Sequence, residues 1–457
     1  MAVTMVTSLH RIGKALFLTL WFLEVAVILF RPVPEVTEII RPLGAMGLVL
    51  LTLVTIPLVR HATLLVAGVA VILGAIIMVT GTAGLADLEA GLVQSLLFAG
   101  FLPTLHMLRA TAQAQPRVRL SQKRFANLPA GARRDGITLG AHAFGSVLNT
   151  GSFPVMAAVM QTNADVDERR RFALASLRGM NLAPLWSPFF VAMALSSAYL
   201  PGVSLAAIMP VGLIIAGLAL TLSVFWFGSG SQRSNALGRP GWMIGIQALE
   251  PIALGLFVLG ATVVSLSVLT PLGSLETVIL VVPPLCLLAI RFSRDAFTRI
   301  WQTTNERLNT SYDDLMIVVA AITLASLAGQ IDVAAEVIRS LVSAAPMPIA
   351  ILGLILACFL PAMVGIHPMI PTAMLLAALT TGPQPLADVV LMGIALTGWS
   401  VGTMCSVSSM SVVVCSGLFQ VPPWRLMISQ NLGFAVAVIG IATSVLSALQ
   451  FLLGQFA

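Results

Sequence analysis

The chain has 457 residues, 58% of them hydrophobic and only 9% charged, with a mean hydropathy of +1.00. So little charge cannot cover a water-soluble surface, and the composition is that of a polytopic membrane protein, most of it one membrane domain. The net charge of +6 reflects loop arginines and gives no ground for nucleic-acid binding. Cys286, Cys358, Cys405 and Cys415 lie in apolar runs without metal-ligand spacing and read as small buried hydrophobes.

Residues 1–42 read as an N-terminal helix and loop. The apolar run 15–30 follows His10, Arg11 and Lys14 without a small-residue cleavage site, so it reads as a retained helix. Glu24 within it reads as a helix–helix contact, the alternative being a functional carboxylate. Arg31 to Arg41 read as a loop. A first repeat then spans 43–227, opening with apolar runs at 43–59, 63–81 and 90–108. Arg117, Arg119, Lys123, Arg124, Arg133 and Arg134 follow and place this side in the cytoplasm. The basic stretch suits either a helix lying in the membrane interface or an ordinary loop.

Residues 137–161 have arginine on both flanks and a polar centre, Asn149–Pro154. At 1.5 Å per residue, two arms of roughly 10–12 residues reach about halfway across a bilayer, which predicts a re-entrant helical hairpin. Polar groups and broken backbone persist at membrane depth only where protein or a water-filled cavity surrounds them. Asp165, Asp167, Glu168 and Arg169 to Arg171 read as a charged loop. Residues 172–199 form a broken helix interrupted at MNLAPLWSP, where Pro184 and Pro188 each remove a backbone donor. Residues 205–227 return, and a polar linker at 228–242 reads as cytoplasmic.

The second repeat, 243–457, begins with crossings at 243–269 and 275–291. A charged cytoplasmic loop follows, with Arg291, Arg294, Arg299, Glu306 and Arg307, then a crossing at 313–329. A short amphipathic stretch at 331–343 carries Asp332, Glu336 and Arg339. A second hairpin at 347–381 is centred on Pro361 to Pro371. A second broken helix, 385–418, has the middle TGWSVGTMCSVSS, and 426–450 is the last crossing.

GSFPVMAAVM at 151–160 lines up with GIHPMIPTAM at 365–374, and Ser187 and Pro201 stand at the same separation as Ser408 and Pro422. The first interfacial stretch is basic and inside; the second is nearly neutral and, by counting crossings, outside. The expected fold is thus an all-α polytopic membrane protein of inverted structural repeats, with two re-entrant helical hairpins and interrupted helices. Paired broken helices in inverted halves point to a secondary transporter with its site near mid-membrane.

That site would be built from hydroxyls, amides and free helix ends. The substrate candidates are Asn149, Thr150 and Ser152 at the first tip, Asn181 and Ser187 in the first break, and His367 and Thr372 in the second hairpin. Thr403, Ser408 and Ser409 join them from the second broken helix. Arg178 is the arginine beside a break; it either grips a solute carboxylate bidentately or snorkels to the cytoplasmic surface. Unwound carbonyls with Ser, Thr or Asn oxygens suit a desolvated cation such as Na⁺. Asn149 and Gly151, with Thr397, Ser400 and Ser406, are the ion candidates, although a helical serine also back-bonds to its preceding turn. Neither break holds a carboxylate, so proton coupling would fall to His367, His142 or Glu250; His142 reads as a structural hydrogen-bonding group. There is no phosphate-cradling GKS/T loop, HExxH or GxSxG in a credible context, which argues against an ATP-driven pump and against an enzyme. No cofactor is called for beyond Na⁺ as a coupling ion.

LNTGSFP at Leu148–Pro154 and GIHPMIP at Gly365–Pro371 resemble the broken hairpins of the ion transporter superfamily. That group includes divalent anion/sodium symporters, citrate symporters and the large membrane subunit of tripartite periplasmic transporters. In the sodium-symporter branch a Ser-Asn-Thr triplet marks each tip. Asn149 and Thr150 match it here; Leu148 stands for the serine, and the second tip has His367-Pro368 instead. The resemblance implies an elevator-type transporter working as a homodimer, with scaffold at 43–81 and 243–291. The expected function is cation-coupled (Na⁺ or H⁺) transport of a small anionic organic solute by a multi-pass protein of the bacterial inner membrane. The alternatives are the large subunit of a tripartite system needing a periplasmic binding protein, or a membrane assembly component that moves nothing alone.

Overall fold

A segment surrounded by lipid must pair its own backbone N–H and C=O groups, so apolar runs of this length fold as helices. The computed structural model bears this out over the residues it describes, 2–160, 164–227, 240–382, 385–428 and 430–456. The helices in chain order are α1 (Ala2–Leu29), α2 (Pro34–Thr55), α3 (His61–Val79), α4 (Leu85–Ala114), α5 (Pro116–Ala126) and α6 (Ala130–Leu148). Next come α7 (Ser152–Ala157), α8 (Val166–Asn181), α9 (Val191–Tyr199), α10 (Leu205–Phe225) and α11 (Gly241–Leu269). Then follow α12 (Ser274–Ala289), α13 (Arg294–Leu308), α14 (Tyr312–Ala328), α15 (Asp332–Ala344) and α16 (Met347–Met363). The chain closes with α17 (Met369–Thr380), α18 (Asp388–Met404), α19 (Met410–Phe419), α20 (Pro423–Met427) and α21 (Gln430–Phe456). Among the described residues seven helices are long and apolar enough to cross a membrane, and α13 with α14, bent by 56°, adds an eighth. The chain is a multi-pass membrane protein.

Several boundaries differ from expectation, each for a local reason. The first hairpin is lopsided: its first arm is Ala130–Leu148 and its second only Ser152–Ala157. No proline stands between Pro129 and Asn149, and the helix runs back through Arg133, Arg134 and Asp135 despite its glycines. Asp165 is not in a loop but caps α8, its carboxylate accepting from the Glu168 N–H at 2.7 Å. Asp167 and Glu168 then lie in the first turn, where the helix dipole favours them. The charged stretch after Arg291 is helix α13, capped by Ser293. Glu35, Glu38 and Arg41 belong to α2. Both amphipathic stretches are helical, as α5 and α15. Pro361 lies inside α16, and the second hairpin turns at 364–368, where Gly365 has φ +99°. Linker residues 228–239 and Gln161 lie outside the described residues.

The chain forms two compact units. Unit 1 comprises Met1–Thr111, Thr270–Ser340 and Leu376–Pro383. In it α1 packs on α2 and α12, and α3 on α14. Trp21 donates to Thr104 at 3.2 Å. Glu24 is buried where a side chain at Gly100 would come within 2.9 Å of its Cγ, so it does lie in a helix–helix contact. Asp313, at the start of α14, pairs with Arg60 at 3.2 Å and accepts from Thr63 at 2.6 Å. An open apolar groove of about 580 Å³ runs between α2 and α4, lined by Met46, Leu50, Leu53 and Glu89 among others; no candidate site residue lines it.

Unit 2 comprises Ala112–Leu269, Leu341–Leu375 and Gln384–Ala457. It holds α6 and α7, both broken helices, and the turn of the second hairpin. Helix α6 packs on α8 and α11, α16 on α18 and α21, and α19 on α8. Of the stretches expected as scaffold, 43–81 and 275–291 fall in unit 1, whereas α11 packs on α5 and α6 in unit 2.

Candidate functional site

Every predicted tip and break residue up to Thr372, and those from Thr397 on, belongs to unit 2. The first tip is a single 3-10 turn, Asn149–Gly151, between α6 and α7. Asn149 sits at φ +54° and ψ −130°, outside the left-handed helical well and in a region that glycine enters far more readily than any side chain. Its carbonyl accepts from Ser152 Oγ at 2.8 Å, which closes the turn. The side chains of Asn149 and Thr150 make no hydrogen bond to any described residue, and both residues are half-buried. Unspent amide and hydroxyl groups thus stand at a strained turn.

The first break lies between α8 and α9. Pro184 and Pro188 bring no N–H, and a 3-10 turn at Ala183–Leu185 takes the place of the α-helix. Gly212 of α10 lies against this turn so closely that a Cβ there would be 1.9 Å from the Leu185 carbonyl oxygen. Ser187 Oγ donates to the Ser146 carbonyl at 2.6 Å, tying the break to the first hairpin arm. His142, four residues earlier on that arm, makes a second tie. Trp186 Nε1–H donates to His142 Nε2 at 3.1 Å, and His142 Nδ1 lies 3.0 Å from the Gly179 carbonyl. An indole N–H only donates and a carbonyl only accepts, so the imidazole is the neutral Nδ1–H tautomer with both nitrogens satisfied. His142 is a structural bridge.

The second break separates α18 from α19. Ser409 caps α19, its Oγ accepting from the Ser411 N–H at 3.2 Å, and Ser406 and Ser408 hydroxyls bond to each other at 2.8 Å. The second hairpin lies close to this helix. Gly398 and Gly402 of α18 face Cys358, Ala362 and Pro368, and a Cβ at Gly398 would stand 2.4 Å from that of Cys358. Small residues four apart let two helices approach in this way. His367 meets the edge of Trp399 with ring centroids 6.1 Å apart, and its Nδ1 accepts from the Met369 N–H at 3.3 Å.

The two broken helices meet directly. Thr403 Oγ1 donates to Asn181 Oδ1 at 2.9 Å, while Asn181 Nδ2 donates to its own helix at the Leu177 carbonyl, 2.9 Å. The first tip in turn lies against α19. The structure thus gathers Asn149, Thr150, Gly151 and Ser152 with helix α19, which follows the second break, and Asn181 with Thr403. Thr372 and Thr397 spend their hydroxyls on the preceding turn, at Pro368 and Gly393. Ser400 differs: its Oγ is buried without a partner. Thr403→Val should cost about 1 kcal/mol of stability and far less in an Asn181→Ala background. Reversible unfolding of the four proteins in mixed micelles measures that coupling.

Arg178 is placed differently from the rest. It is 2% exposed, so it does not snorkel, and its Nε donates to Asn431 Oδ1 at 2.8 Å. Its guanidinium lies over the rings of Phe227 and Phe434, 4.8 and 5.3 Å from their centroids. Arg134 of α6 donates to the same Phe227 carbonyl that Arg178 reaches. Arg134 precedes Asn149 by fifteen positions on a continuous helix, about 22 Å of rise. Arg178 therefore sits toward the base of the hairpin, and the structure does not bring it to the tip.

No family model matches this chain, and no curated protein matches it. Among solved structures, the crystal structure of the Alcanivorax borkumensis YdaH transporter, described as having an unusual topology, is similar. The TM-score is 0.51 at 13% identity, covering 85% of this chain and 98% of that one. At this identity the likeness shows the fold, so the chain has the fold of a membrane transporter. It does not extend to the ion transporter superfamily that the tip motifs resemble.

Proposed function

We propose that the chain is a cation-coupled secondary transporter, driven by Na⁺ or H⁺, for a small anionic organic solute. The observation that carries this reading is the meeting of two interrupted helices through Asn181 and Thr403, with a hairpin tip of unspent polar groups beside the second break. Interrupted helices in lipid are retained where they line a cavity and turn their free ends to a ligand. The N-terminal amides of α19 and the amide and hydroxyl of Asn149 and Thr150 suit the solute's anionic end. Carbonyl and hydroxyl oxygens around Gly151, Ser400 and Ser406 suit the cation. A similar series of elements occurs twice: α2, α3 and α4 in the first half and α11, α12 and the bent pair α13–α14 in the second, each followed by an amphipathic helix, a hairpin, a broken helix and a long final helix. This order and the arginine placement support inverted repeats, and the resemblance supports an elevator motion, a homodimer and a bacterial inner-membrane location.

The test is a thermal-shift screen of the purified protein against organic acids, with Na⁺ replaced by choline and pH varied. Stabilisation by an acid only with Na⁺ establishes a sodium symporter. Stabilisation that follows pH and ignores Na⁺ moves the coupling to protons and His367. No acid shifting the melt under any condition would overturn the reading. Uptake of the hit into liposomes by this chain alone would show that no periplasmic binding protein is needed.

A further inference from the structure

Arg178 carries a buried positive charge that no carboxylate meets. Among the described residues it forms no ion pair, and its Nη2 is buried without a partner. Its neighbour Arg134 forms no ion pair either. Both guanidinium groups converge on one neutral oxygen, the Phe227 carbonyl. Arg171 lies two turns before Arg178 on the same face of α8. Asp135, next to Arg134 in the chain, feels that arginine's charge but makes no ion pair with either arginine among the described residues, and its Oδ1 is buried without a hydrogen-bond partner there. Asn431, which Arg178 holds, is the second residue of the 27-residue helix α21, so the guanidinium is aimed at a helix N-terminus. A desolvated cation without a counter-charge is costly, and guanidinium forks and helix N-termini both bind oxyanions.

We infer that Arg178, Arg134 and the first turn of α21 form an anion site at the base of the first hairpin, separate from the proposed solute site. Its ligand is a phosphate-class oxyanion, either free inorganic phosphate or the phosphate of an anionic lipid headgroup. The two aromatic rings fix the Arg178 plane, leaving Nη2 as the buried prong without a partner among the described residues. Occupancy supplies the counter-charge and draws α6, α8 and α21 together.

The test uses the full-length protein and reads stability, not uptake, so its failure leaves the transport reading standing. One arm measures melting in detergent with inorganic phosphate against chloride at matched ionic strength. The other compares nanodiscs of phosphatidylglycerol with nanodiscs of phosphatidylcholine, with native mass spectrometry of retained lipid. We expect a rise of about 3 °C or more in one arm, which identifies the source, and its loss in Arg178→Gln and reduction in Arg134→Gln. If Arg178→Gln fails to fold, the half-buried Arg134→Gln carries the comparison. No rise in either arm for the unmodified protein, or an undiminished rise in Arg134→Gln, overturns the site.

Discussion

Asn149→Ala should lose tenfold or more of uptake and keep its fold. Among the described residues the Asn149 side chain has no hydrogen-bond partner, so removing it costs no hydrogen bond to them. What it leaves is the backbone at φ +54° and ψ −130°, a conformation strained for alanine and asparagine alike, so the exchange adds little strain of its own. A hydrogen bond to a charged ligand is worth about 1.5–3 kcal/mol, which corresponds to roughly 10- to 100-fold in a binding or rate constant. Asn149→Gly separates the two effects, since glycine takes this conformation freely but brings no amide. Both variants should melt within a few degrees of the unmodified protein and both should fail in a liposome assay with the solute found by thermal shift. Full uptake by Asn149→Gly would mean that the turn matters and the amide does not, which removes this side chain from the site.

The largest expected loss of fold comes from adding one methyl group. A Cβ at Gly212 would stand 1.9 Å from the Leu185 carbonyl oxygen, and one at Gly179 would stand 2.1 Å from that of Thr138. Neither obstacle is a flexible side chain; both are backbone, one in the first break and one in the first hairpin arm. Overpacking in a close-packed interior typically costs about 1–3 kcal/mol and more where backbone must move. Gly212→Ala and Gly179→Ala should each lower the melting temperature sharply or abolish the monodisperse peak in size-exclusion chromatography. Gly217→Ala is the control. It lies on the same helix as Gly212 with nothing within 4 Å, and should gain up to about 1 kcal/mol from helix propensity. Equal behaviour of Gly212→Ala and Gly217→Ala would show that α10 does not press on the break.

What the sequence discloses and what it hides divide along physical lines. Prolines, glycines and polar clusters inside apolar runs announce the breaks, because each removes a donor or an apolar contact where lipid punishes both. Asn149, Pro184, Pro188 and the Ser406–Ser409 cluster are legible for that reason. Helix ends in charged segments are not. Arg133 and Arg134 resemble a loop but begin an arm, and Asp165-x-x-Glu168 is a capping pattern inside a run of charges that reads as solvent-exposed. That pattern marks Val166 as the first residue of α8. Long-range partners are beyond a single sequence: Asn181 and Thr403 are 222 positions apart, and nothing local says that they meet. Arg178 shows the same limit. Its nearness to Asn181 along the chain suggests a shared ligand, whereas its contacts come from Phe227 and from α21.

The two hairpins are fastened by different physics. Both press closely on a broken helix through glycines, the first at Gly179 and Gly145, but the first adds directed bonds, Ser187 to Ser146 and the His142 bridge between Gly179 and Trp186. The second lies on α18 across Gly398 and Gly402 by close apolar contact, with no comparable pair of directed bonds among the described residues. Hydrocarbon chains compete poorly for hydrogen bonds but compete well for apolar contact, because acyl tails are as apolar as the side chains they replace. The choice of amphiphile therefore acts on the protein unevenly. Short, mobile detergent tails should loosen the second hairpin and leave the first in place, so that a preparation can look intact by its tryptophan–histidine pairing and still have lost half of its solute site.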